Sequence, residues 1–94
     1  MNVFRYRKSV DVPYVKQGSI FFMMMRYGEL PEQKKKRIEV LCKRAGGSVW
    51  EALLQYMTTD ATPEEVMQKH YIASYTTLGR AVKRFMENFP DDLL

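Results

Sequence analysis

Leu78, Ala81, Val82 and Phe85 fall at i, i+3, i+4 and i+7, the spacing that lays apolar side chains along one face of an α-helix. A helix with such a stripe is stable only when the stripe is covered, so the rest of the chain must supply neighbours for it. The residues just upstream describe one of them. Thr62, Pro63, Glu64 and Glu65 combine a hydroxyl cap, a proline at the first helical position and two acids in the first turn. Only Val66, Met67, Lys69 and His70 then remain before "YIAS", which reads as a tight turn in which Tyr71 stands at the usual glycine position. A short helix, a turn with a buried aliphatic at Ile72 and a second helix with a hydroxyl-rich start form a helix-turn-helix, expected over residues 62–89.

The second helix of such a unit enters the DNA major groove by its N-terminal residues. On a helical wheel Thr76, Arg80 and Lys83 fall on the side opposite Leu78, away from the stripe. Ser74, Tyr75, Thr76 and Thr77 stand at the leading end, where side chains reach base edges and amides meet phosphate. Arg80, Lys83 and Arg84 lie further along the groove wall. Gly79 in mid-helix costs about 1 kcal/mol relative to alanine, and a missing side chain there admits DNA or a neighbouring helix.

Elsewhere, residues 1–18 show no helical period and read as an extended arm, basic at Arg5, Arg7 and Lys8. Ser19 can cap a short helix through Ile20 to Met25, which Gly28 would stop by adopting a left-handed conformation. Because that helix is apolar all round, Phe21, Phe22, Met24 and Met25 are candidates for a subunit interface, with burial inside the domain the equal alternative. Pro31 and Glu32 open a basic helix marked by Ile38, Leu41 and Cys42 and closed by Gly46 and Gly47; its Lys34 and Lys35 are further candidates for phosphate contact. Ser48 followed by Glu51 matches a capping box, so the next helix runs from about Val49 to Met57. The expectation is an all-α fold, a small bundle of about five helices, with residues 19–94 a single domain.

Ninety-four residues leave room for one domain and little for a large catalytic cleft. The charge is uneven: residues 1–44 hold eleven Lys/Arg against four Asp/Glu, and residues 45–94 four against seven. Such asymmetry suits a polyanionic partner. With Cys42 the sole cysteine and His70 the sole histidine, no disulfide, metal cluster or nucleophilic dyad suggests itself, so no enzyme activity, cofactor or small-molecule substrate is expected. The longest apolar run, six residues, is too short to cross a membrane or serve as a signal peptide, and a cytoplasmic location is expected.

From Tyr56 to Phe85, "YMTTDATPEEVMQKHYIASYTTLGRAVKRF" resembles the PapB/FocB family of fimbrial adhesin regulators, most specifically at Thr76, Thr77, Leu78, Gly79 and Arg80, with a weaker likeness at "GSIFFMMM". The resemblance covers under half the chain. It implies a small helical, sequence-specific regulator that oligomerises on A·T-rich double-stranded DNA and tunes adhesin operons. Plasmid repressors of the TrfB/KorA type carry a comparable motif. The competing class is a protein–protein interaction module that grips a partner with its Met/Phe helix and uses its cations only for solubility.

Overall fold

The computed structural model describes residues 4–94, and among them the architecture is all-helical with no strand. Five α-helices, α1 (Tyr14–Met25), α2 (Glu32–Gly46), α3 (Trp50–Thr58), α4 (Pro63–Lys69) and α5 (Tyr75–Glu87), are joined by turns and three short 3₁₀ segments. The radius of gyration, 12.3 Å, matches the ~12 Å expected of one folded unit of this length. No helix is long and apolar enough to cross a membrane.

Helix α2 packs against both α3 and α5, while α1 closes over α3. Ile20 and Met24 of α1, Ile38 and Cys42 of α2, Leu53 of α3 and Val82 and Phe85 of α5 meet in the main core, fully or almost fully buried. Burial also pushes the Cys42 thiol up to about 12, with the Glu39 carboxylate adding to the effect, so the thiol stays protonated. A smaller cluster of Ala52, Val66 and Leu78, with Met67 and Ile72 against it, seats α4 on α3 and α5. Phe89 and Leu93 extend the main core beyond α5, and the chain end is fastened by Lys16 to Asp91 (2.8 Å) and Arg37 to Asp92 (3.1 Å).

The N-terminal boundary differs from the sequence expectation. Helix α1 begins at Tyr14, not after Ser19, because Pro13 with φ −57° is already set for the entry and its carbonyl accepts the first helical bond from Gln17. Ser19 lies inside the helix, its hydroxyl donating to the Val15 carbonyl, and Gly18 is buried beneath the Phe4 ring. Met1–Val3 of the expected arm lie outside the described residues. From Phe4 to Pro13 the chain is non-helical but packed, with Val10 and Val12 inserted in the core. Gly28 does not adopt a positive φ; Arg26 ends α1, and Gly28 sits in a 3₁₀ turn. Pro31 is the N-cap of α2 rather than its first residue. The Ser48–Glu51 capping box does not form, because a 3₁₀ turn over Gly47–Val49 leads directly into α3.

Around α4 the expectation is met closely. Thr62 caps it, with the Thr62 hydroxyl accepting from the Glu65 amide and the Glu65 carboxylate accepting from Thr62. Its end is a Schellman arrangement: the Ile72 amide donates to the Met67 carbonyl (2.8 Å) and the Tyr71 amide to Gln68 (3.5 Å). Closing that turn puts Tyr71 at φ +57°, a left-handed conformation that costs a bulky residue about 1 kcal/mol or more relative to glycine. The His70 imidazole and the Gln55 side chain, 2.7 Å apart, bridge the end of α4 to α3.

Gln17 is the one buried polar side chain among the described residues. Its carbonyl accepts from the Arg7 amide (2.9 Å), and its amide donates to the carbonyls of Arg7 (3.1 Å), Val12 (2.9 Å) and Val10 (3.4 Å). One side chain thus satisfies four backbone groups of the incoming segment, from Arg7 to Val12. Gln17→Ala strands those groups in the interior and should lower stability by about 2–4 kcal/mol, read as a fall in the urea midpoint. An unchanged midpoint would show that the segment is not held this way.

Candidate nucleic-acid interface

Helix α5 divides cleanly into two faces. Leu78, Ala81, Val82, Phe85 and Met86 point inward and are buried, while Thr76, Thr77, Gly79, Arg80, Lys83 and Arg84 are exposed. Its start is fixed by Ser74, whose hydroxyl accepts from the Thr76 amide (3.2 Å) and whose carbonyl accepts from the Thr77 amide (3.2 Å). The sequence expectation for this face therefore agrees with the geometry.

The cations on the outer face differ in what holds them. Arg80 and Lys83 make no ion pair or hydrogen bond among the described residues. Arg84 is already engaged: its Nε donates to the Ala45 carbonyl (2.7 Å) at the end of α2, where a cation complements the helix dipole. This bond ties α5 to α2, so Arg84 acts first as a positioning residue rather than as a free cation on the outer wall. Glu87, at the other end, turns back to accept from the Asp11 amide (2.8 Å).

Gly79 is exposed, and a Cβ built on it meets nothing within 4 Å. Among the described residues, close packing is therefore not the reason for a glycine there. It borders a small cleft of about 90 Å³ whose walls include Arg7, Tyr56, Pro63 and Tyr75.

Tyr75 is directed sideways: its hydroxyl donates to Glu64 Oε1 at 2.5 Å, latching the first turn of α5 to the first turn of α4. The Tyr75 hydroxyl holds the Glu64 carboxyl below its usual range, with smaller help from its own amide and Thr62, and the same bond pushes the Tyr75 phenol up. A lowered carboxylate means the latch is present above the ordinary Glu value and lost as pH falls through the lowered one. A raised phenol means it persists to the ordinary Tyr value and is lost as pH rises beyond the raised one. It is intact across the neutral range.

The other expected site residues scatter. Arg5 and Lys8 are exposed and unpaired among the described residues, but Arg7 is half-buried, donating to the Tyr56 hydroxyl (2.7 Å) with its guanidinium 5.7 Å from that ring, and so is structural. Lys34 and Lys35 are half-buried, and Lys35 is held by Glu32 (3.6 Å) and lies over the Tyr27 ring. The exposed and unpaired cations of α2 are Lys36 and Arg44, roughly opposite Ile38 and Cys42 on a helical wheel, a signal the apolar positions of α2 already carried. Met24 is completely buried beside Ile20 and cannot meet a second subunit; Phe21 and Met25 are half-buried and Phe22 is exposed. The outer surface of this region is instead a group of aromatic rings, Phe4, Tyr6, Tyr14, Phe21 and Phe22, with adjacent centroids 5.2–6.4 Å apart.

Comparison with known protein families, curated proteins and solved structures finds no match for this chain. The arrangement of residues is what a functional reading has to stand on. For the latch, tyrosine-ring NMR should show Tyr75 titrating above the ordinary value of about 10, with Glu64→Gln bringing it back towards that value. A titration unmoved by Glu64→Gln would contradict the coupling.

Proposed function

We propose that this chain is a sequence-specific DNA-binding transcription regulator, in which α4, the turn at Tyr71 and α5 form a helix-turn-helix whose second helix enters a groove of the duplex. The observation that carries the reading is the outer face of α5. Arg80 and Lys83, unpaired among the described residues, share it with the exposed Thr76 and with Gly79, where a Cβ would meet none of the described residues. Thr76 and Thr77 would touch base edges or sugars, and Arg80 and Lys83 would set the register on phosphate. Arg84 would steady the helix through Ala45, and Ser74 would keep its first turn wound.

The likeness to fimbrial adhesin regulators supports an adhesin operon and an A·T-rich operator as the first target to try. Self-association belongs to the same reading. Two motifs on one duplex would be spaced by about 34 Å, one helical turn. Tyr14, Val15 and Phe22, at 62, 76 and 59% exposure, are among the exposed apolar residues that would support it. The same aromatic surface favours the second reading, a module that docks another protein.

Arg80→Ala combined with Lys83→Ala, in gel shifts against a duplex from upstream of the protein's own gene, should weaken binding about tenfold per cation. The slope of log affinity against log salt should fall by about 2. Because both side chains are exposed and unpaired, the melting temperature should not move. Unchanged affinity and slope would sink the assignment. Gly79→Ala separates stability from binding: with open space for the methyl, it should gain about 1 kcal/mol, or roughly 4–8 °C, yet lose affinity for the duplex. Normal binding by the stabilised variant would show that no partner comes close there.

A further inference from the structure

Tyr71 is the only non-glycine among the described residues with a positive φ, at +57°, and it is 95% exposed. Its ring covers no core and touches no other ring, and its hydroxyl bonds to nothing among the described residues. A bulky aromatic in a left-handed turn thus carries a standing cost with no return among the described residues. Glycine, the residue such a turn favours, would remove that cost. Uncompensated strain at an exposed position directs attention to what lies outside.

Position indicates the partner. Tyr71 lies three residues before Ser74, no more than about 10 Å along the chain from the leading end of α5. Lys69, two residues earlier, is also exposed and unpaired, so the turn offers a cation and a phenol together. Resting on the DNA-binding reading above, we propose that Tyr71 is a backbone-contacting residue, its phenolic hydroxyl donating to a phosphate oxygen of the strand flanking the groove that α5 enters. A tyrosine hydroxyl is one of the side-chain donors that fix register on the duplex without reading sequence. The turn stands at the negative end of the short α4 dipole, which disfavours an anion, and the Lys69 cation beside it offsets that effect.

The test compares wild type, Tyr71→Phe and Tyr71→Gly on one duplex from upstream of the protein's own gene, at about 50 and 200 mM salt, with a melting temperature for each. Tyr71→Phe keeps the ring and the strain, so its melting temperature should match wild type while affinity falls about 3- to 10-fold at both salts, the loss of one uncharged donor. Tyr71→Gly should melt higher by about 4 °C and bind no better than Tyr71→Phe. A variant that becomes more stable as it binds less cannot be explained by damage to the fold. Wild-type affinity in both variants would overturn the Tyr71 contact while leaving the DNA-binding reading in place. A wild type whose duplex binding is absent or indifferent to salt would overturn both.

Discussion

The burial of one stripe on α5 governs both the shape of this protein and the face it can offer. Leu78, Ala81, Val82 and Phe85 are at most 3% exposed, and covering each large member contributes about 1.5–3 kcal/mol. Their helical repeat leaves no choice about the opposite side: once the stripe is seated against α2, α3 and α4, Thr76, Arg80 and Lys83 face solvent. Rotating α5 to hide those cations would expose Phe85 and bury charge, and both changes are unfavourable. Fold and candidate interface are thus two consequences of one packing event.

Polar contacts then fix what apolar packing leaves free. Arg84 joins α5 to the last turn of α2, Tyr75 joins it to α4, and Gln17 gathers the backbone from Arg7 to Val12 against α1. The last of these reaches the candidate interface indirectly. Held by Gln17, Arg7 donates to the Tyr56 hydroxyl, and both residues line the cleft beside Gly79. Eight cations, Arg5, Lys8, Lys34, Lys36, Arg44, Lys69, Arg80 and Lys83, remain without an ion pair or hydrogen bond among the described residues.

The C-terminal third was legible because its signals are local: a hydroxyl cap with Pro63, an i, i+3, i+4 stripe and a serine before the second helix each act within one or two turns. Tyr71 stood out only as the residue where glycine is usual; the left-handed conformation was expected at Gly28 instead. The N-terminal part was not, because its structure is set at a distance. Tyr14 and Val15 are β-prone and face outward, so α1 shows little periodicity where it begins. Gln17 reads as a surface residue until the segment that needs its amide folds back over it. Arg7, Lys35 and Arg84 look like free cations in the sequence, and nothing local announces that Tyr56, Tyr27 and the Ala45 carbonyl engage them. Met24 was ambiguous on an all-apolar helix, and only the packing of α1 into the main core decides that it faces inward.

The two proposed readings fall on different surfaces: the basic, glycine-bearing side of α5 and the aromatic side of α1. Their chemistry separates them, since one would lose its partner with added salt and the other would not. Amide chemical-shift mapping during titration with a duplex from the region upstream of the gene addresses the central claim directly. Perturbations concentrated from Ser74 to Arg84 and shrinking with added salt are the predicted result. Perturbations confined to the neighbourhood of Phe4, Tyr14 and Phe22, or none at all, would contradict it.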